Sequence, residues 1–160
     1  MAVMKRVIGI DPGLAGTGIG LVSGMGMKID SYSFGSIDTQ KTDTLSIRLA
    51  HIYDKIMGIL NDQKPDLMVV EDVFSLERYP KSGILLGKVS GVVLLAAAHS
   101  GISVVEVPVR ESKKILSGNG NAGKEQLEQA VRRYLHHEKP IRPYHASDAL
   151  SLALIGLFRY

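Results

Sequence analysis

RVIGIDPGLAGTGIGLV, residues Arg6–Val22, decides the fold. Arg6–Asp11 is a short apolar run closed by Pro12-Gly13, which reads as a buried strand ending in a turn, with a carboxylate at its tip. Thr17–Val22 reads as a second strand. Met27–Phe34 reads as a third, joined to the second by a hairpin whose tight turn uses Ser23-Gly24 and Gly26. At Asp43 the period changes. Leu45, Leu49, Ile52, Ile56 and Ile59 recur at steps of three and four, which predicts an amphipathic helix running to Leu60. Lys64-Pro65-Asp66 stops it. Leu67–Val70 (LMVV) is then a fourth buried strand that runs directly into Glu71-Asp72.

The second half alternates helix and strand. Lys81–Ser100 predicts a long helix with Gly83, Gly87 and Gly91 at steps of four, ended by Gly101. Ile102–Val107 is a fifth strand, and two short helices flank the loop Ser117–Gly123. A last, apolar helix runs from Pro143 through Leu157. A hairpin followed by crossover helices implies an α/β fold, a mixed five-stranded sheet flanked by helices on both faces, because parallel strands need such crossovers. The ends of the first and fourth strands, both carrying a carboxylate, then lie side by side if the fourth strand joins the sheet next to the first.

Composition narrows the function. A chain of 160 residues, 45% apolar and 22% charged, fits one globular domain spanning 1–160. With no cysteine, disulfides, thiolate zinc sites and a cysteine nucleophile are excluded, so any metal must take oxygen or imidazole ligands. Nineteen Lys and Arg against 16 Asp and Glu give +3. That excess is concentrated between Arg110 and Lys139, where seven basic residues face four acidic ones. A local basic patch suits a polyanion such as nucleic acid, and a solvated helix face accounts for the same run. The start, MAVMKRVIGID, carries no signal-peptide pattern, and the longest apolar run, Val92–Ala98, is too short to cross a bilayer, so no membrane association and a cytoplasmic location are expected.

Asp11 and Glu71 each follow an apolar strand immediately, where open α/β sheets gather their ligands. His145 and Asp148, three apart on the last helix, project from one face. Such a hard, oxygen-rich set favours Mg²⁺ or Mn²⁺ over zinc. The chemistry that needs it is two-metal phosphodiester hydrolysis, in which ions about 3.5–4 Å apart activate water and stabilise the leaving oxygen. The expected division has Asp11 bridging, Glu71 on one ion, and His145 with Asp148 on the other.

These residues lie in motifs that resemble one family. IGIDPGLAGTGIGLV (Ile8–Val22), VVEDVF (Val69–Phe74), YPKSGILLGKVSGVVLLAAAHSG (Tyr79–Gly101), VRESKKILSGNGNAGKEQL (Val109–Leu127) and HASDALSLAL (His145–Leu154) look like the RuvC family of Holliday-junction resolvases, in order along nearly the whole chain. The resemblance implies a ribonuclease-H-like fold, a homodimer, and Mg²⁺-dependent paired nicking of a four-way DNA junction to give ligatable ends, with Mn²⁺ as a substitute. It makes Asp11, Glu71, His145 and Asp148 the catalytic and metal set. It places Lys113 and Lys124 near the DNA backbone, where an ammonium beside the cleaved phosphate offsets developing charge. It gives Phe74 a stacking role at the junction crossover, worth about 1–3 kcal/mol per base stacked. It also implies a branch-migration helicase complex as partner. Many members of the family carry aspartate at the position of His145. Imidazole removes one negative charge from the site, and a shift of preference from Mg²⁺ toward Mn²⁺ is expected to follow. Gly83, Gly87 and Gly91 belong to a helix that the family uses for dimerisation; packing against the sheet would use the same spacing.

Other signals fall away. Gly118–Lys124 (GNGNAGK) matches most of a phosphate-loop pattern, but Glu125 stands where Ser or Thr should hold Mg²⁺ and the loop follows a helix-like stretch rather than a strand. Adjacent His136 and His137 point apart on a helix and read as an exposed pair. Asp72 should face away from Glu71. Sugar-kinase, actin and Hsp70-type ATPases open with a similar strand and glycine-rich turn, yet need two such domains around the nucleotide. The shorter RuvX-type nucleases usually lack the helix and loop found here, and a junction-binding module without catalysis would not need the acidic set.

Overall fold

The computed structural model describes residues 2–72 and 80–160. Five strands, β1 (Lys5–Asp11), β2 (Gly16–Met25), β3 (Lys28–Asp38), β4 (Leu67–Glu71) and β5 (Ser103–Val107), form one sheet in the order β3-β2-β1-β4-β5. β1–β2 and β2–β3 are antiparallel, whereas β1–β4 and β4–β5 are parallel. The fourth strand therefore joins beside the first, which meets the condition for the two strand-end acids to lie side by side. Helices α1 (Leu45–Gln63), α2 (Pro80–His99), α3 (Val109–Ser117), α4 (Lys124–Leu135) and α5 (Tyr144–Arg159) complete the chain.

Side-chain alternation sorts the core into two layers. Ile8, Ile10, Ile19, Leu21, Met68 and Val70 face α1 and α2, meeting Ile52, Ile56, Leu60, Val89 and Val93. Val7, Val22, Val69 and Val107 face the opposite way, against α3, α4 and α5. The start of β4 is tied to β1 by reciprocal bonds: Asp66 N donates to Arg6 O (2.8 Å), and Arg6 N donates to Asp66 Oδ2 (2.8 Å). Lys64, in the left-handed region at φ 45°, and Pro65 end α1 at the point where the chain must turn into that strand.

One expectation needs correction. The third strand does not stop at Phe34 but continues to Asp38, because Gly35 to Asp38 pair in the ladder with Ile19 to Gly16 of β2. α2 is long and apolar enough to cross a bilayer, although no single run in it is. Its inner stripe of Val89, Val93, Ala96 and Ala97 is buried against the α1 layer, while Ile84 and Leu95 are 61% and 49% exposed.

α5 sits unusually close to the sheet. Gly9 and Gly20 are ladder partners, as are Asp11 and Gly18, so β1 and β2 present a floor without side chains. A methyl group at Gly9 would overlap the carbonyl of Ala149, one at Gly18 the carbonyl of His145, and one at Gly20 would lie 2.6 Å from Leu150 Cα. The helix answers with Ala146, Ala149, Ala153 and Gly156 on the contacting face. Its buried Ser147 and Ser151 satisfy their hydroxyls on the carbonyls of Tyr144 (2.8 Å) and Asp148 (2.6 Å), so the helix can be buried nearly all round.

Gly18→Ala is expected to destabilise the fold by about 1–3 kcal/mol or more through overpacking. Gly58→Ala, on the open side of α1 where nothing lies within 4 Å, should stabilise by roughly 0.5–1 kcal/mol. Urea denaturation of both variants checks the contrast, and equal shifts would contradict the groove.

Candidate active site

Asp11 ends β1 and Glu71 ends β4. Ile10 pairs with Val70 in parallel register, so the two acids leave neighbouring strand ends. Both follow the alternation of Val7, Gly9 and Val69 toward α5. The turn beyond Asp11 is held by fully buried Thr17, whose Oγ1 donates to Gly13 O (2.7 Å) and accepts from Gly13 N (3.3 Å). His145 and Asp148, in the first turns of α5, are brought to the same edge by the glycine floor. The approach to α5 is pinned by Glu128, which is 1% exposed, ion-paired to Arg132 (2.6 Å), and accepts from Ile141 N (2.9 Å).

Convergence of acids shows in their proton affinities. Burial pushes the Asp11 carboxyl up to about 9, helped by its hydrogen bond to Glu71 and by the charges of Glu71 and Asp148, with Lys124 pulling the other way. Burial, then the charge of Glu71, raises Asp148 to about 6, opposed by Lys124 and Lys113. Asp11, Glu71, Asp148, Lys113 and Lys124 thus lie within one electrostatic neighbourhood. Among the described residues neither lysine is ion-paired.

His145 belongs to this edge but faces a different partner. Burial lowers its pKa, the Asp38 charge opposes that, and Lys124 adds to it. Its Nε2 lies 2.8 Å from Ser36 Oγ, which donates to Asp38 Oδ1 at 2.7 Å. Ser36 and Asp38 are absent from the sequence reading because the third strand is ended there at Phe34. Among the described residues, no three acidic or imidazole groups gather around one point at ligating distance. Asp11 is engaged with Glu71 and His145 with Ser36.

Phe74 lies outside the described residues. Asp72 donates its backbone N–H to Val107 O (2.9 Å) and extends the β4–β5 pairing. Lys124 opens α4, where Gln126 Oε1 accepts from Gly123 N (3.1 Å), after a loop that follows α3 rather than a strand. The adjacent histidines differ from the expected exposed pair: His136 is exposed, but His137 Nδ1 is hydrogen-bonded to Tyr32 OH (2.7 Å) and its ring meets Tyr32 and Phe34 edge to face. Among the described residues, a hollow of about 20 Å³ adjoins Glu71, beside Pro12 and Leu86, and a cavity of about 290 Å³ lies between β3 and α1.

Known proteins share this fold. The family model described as crossover junction endodeoxyribonuclease RuvC matches residues 7–156. The crossover junction endodeoxyribonuclease RuvC of Prosthecochloris aestuarii is 34% identical over 151 residues, covering 94% of this chain and 80% of that protein. Thermus thermophilus RuvC, solved in complex with a Holliday junction substrate, superposes with a TM-score of 0.87 at 30% identity, covering 94% of this chain and 91% of that one. The yeast mitochondrial Holliday junction resolvase Ydc2 has a TM-score of 0.62 at 12% identity, with 97% of this chain and 78% of that one covered, a likeness of fold alone.

In the metal-free protein the raised carboxyls hold protons that the unfolded chain, with an ordinary aspartate value of 3.8, has released. Stability therefore falls as pH rises from the ordinary carboxylate range through about 6 and on toward about 9. Thermal unfolding in EDTA should show a Tm that declines across this window. Asp11→Asn should flatten the decline and unfold at higher temperature than wild type at the alkaline end; superimposable Tm curves would refute the buried-acid account.

Proposed function

The chain belongs to the RuvC family of crossover junction endodeoxyribonucleases, and from that premise we propose that it resolves four-way DNA junctions by paired, symmetric, metal-dependent nicking during recombination and repair. The carrying observation is the convergence of Asp11, Glu71 and Asp148 at one sheet edge with Lys113 and Lys124 within electrostatic reach. We read residues 1–160 as one nuclease unit, in keeping with a single sheet whose strand ends carry Asp11 and Glu71 and whose packed helix α5 carries His145 and Asp148.

The donor set fits a hard divalent cation. Burial and then the neighbouring acids raise the proton affinity of Asp11 and Asp148, and a cation is the alternative to protons as counter-charge. Oxygen ligands suit Mg²⁺, with Mn²⁺ better able to accept an imidazole. Asp11, Glu71, His145 and Asp148 would hold two ions. Such ions supply Lewis acidity and an activated water for attack at phosphorus. Lys113 and Lys124 offset the charge that develops on the phosphate. Hydrolysis breaks one phosphodiester bond per strand and leaves ligatable ends. Phe74 is assigned base stacking at the crossover on family membership alone.

Pairing of the nicks requires two copies. The outward face of α2, with Ile84 and Leu95 exposed and, among the described residues, nothing within 4 Å of a methyl group placed at Gly87 or Gly91, supports a two-fold contact between α2 helices that places two sites on one junction. Family membership supports a branch-migration helicase complex as partner and action in the cytoplasm.

A labelled four-way junction, beside a linear duplex of the same sequence, should be nicked symmetrically in Mg²⁺ and Mn²⁺, and not in EDTA or by Asp11→Asn. Binding without cutting in either metal would reduce the activity to junction recognition. His145→Asp should raise the Mg²⁺-to-Mn²⁺ rate ratio, and an unchanged ratio would discount the imidazole. Leu95→Glu should sediment as a monomer and lose paired nicking, whereas an intact dimer would move the interface elsewhere.

A further inference from the structure

His145 is seated in a notch built by two strands. Ser36 and Asp38 are alternate residues of β3 and pair with Gly18 and Gly16 of β2, so both side chains stand on the face that α5 covers. The glycines opposite leave the room. A methyl group at Gly16 would lie 2.8 Å from His145 Nε2 and 3.1 Å from Asp38 Oδ1.

The hydrogen-bond inventory of this trio has one solution. A carboxylate can only accept, so the single hydroxyl hydrogen of Ser36 is committed to Asp38 Oδ1 at 2.7 Å. Ser36 Oγ is left to accept from its other neighbour, His145 Nε2, at 2.8 Å. A neutral imidazole that donates from Nε2 keeps its lone pair on Nδ1. Carboxylates that act in this way on a metal-binding imidazole set its tautomer, its ring orientation and its basicity.

We propose that Ser36 and Asp38 are positioning residues that fix His145 as the Nε2–H tautomer and leave Nδ1 as the nitrogen offered to a divalent cation. This rests on the reading of the acidic edge as a cation site. It assigns a task to the end of β3, which supplies none of the acids at the centre. It also explains Gly16, where any side chain would displace both the ring and its carboxylate partner.

Nitrogen-15 NMR of the metal-free protein, at about pH 8 where the imidazole is neutral, reads the tautomer directly. Wild type should be the Nε2–H form. Asp38→Ala, an exposed position, frees the Ser36 hydroxyl to donate and should move the population toward Nδ1–H. Ser36→Ala removes the acceptor and should also erase the preference. Calorimetric Mn²⁺ titration should find binding weakened about 10–100-fold in both variants. No Mn²⁺ binding by wild type would sink the cation reading and the inference with it. Mn²⁺ binding that Asp11→Asn abolishes, with the tautomer and affinity unmoved in both β3 variants, would sink the inference alone.

Discussion

The contact between the backbone of α5 and the bare floor of β1 and β2 governs the rest of the molecule. Helices usually stand off a sheet by the thickness of two side-chain layers, but here Gly9, Gly18 and Gly20 let the carbonyls of Ala149 and His145 reach the strands themselves. The interior cannot absorb an added methyl by compression. Nor can α5 tilt away, since residues from Ala146 to Leu157 are buried on nearly every side. Because Asp11 continues the strand that carries Gly9, and Asp148 adjoins Ala149 on the helix, this close backbone approach and the distance between two acids are set by the same contact.

The site that results is electrostatically unfavourable by itself. Asp11 and Asp148 are held where burial and neighbouring acids push their carboxyls upward, with Lys124 and Lys113 relieving part of the repulsion. Structural acids elsewhere in the chain are treated differently. Buried Glu128 meets Arg132 and the amide of Ile141, a set of partners that needs nothing from solution. Two buried or half-buried acidic environments in one chain, one closed by its own cations and one left with unpaired lysines at its margin, separate what holds the fold from what serves its chemistry.

Much of this was legible in the sequence, for physical reasons. Strand β1 and its terminal acid follow from RVIGID and Pro12-Gly13, because a short apolar run and a turn signal depend on local chemistry alone. The pairing of Asp11 with Glu71 follows from the crossover order. Ser36 and Asp38 were hidden because nothing local carries the strand past Phe34; its ladder partners on β2, Ile19 through Gly16, keep it going. The role of the glycines in β1 and β2 was hidden too, since their periodicity shows that side chains are missing but not which helix fills the space. His137 looks like one of a solvated pair until the fold brings Tyr32 beside it, 105 positions away in sequence.

The third strand also bears on the charge of the site. Under the proposed reading, imidazole at position 145 would be a neutral ligand, and a site for two cations would be short by one negative charge relative to a carboxylate there. Asp38, one hydrogen-bonded residue behind the ring through Ser36, would supply that charge. The ligand would stay neutral with the anion behind it, and attraction for the cations would be retained over a longer distance. Asp11, Glu71 and Asp148 would then be spared a fourth carboxylate beside them. Burial and then the neighbouring acids already drive Asp11 up to about 9, so a charge placed behind the ring would spare that carboxyl a further anion beside it.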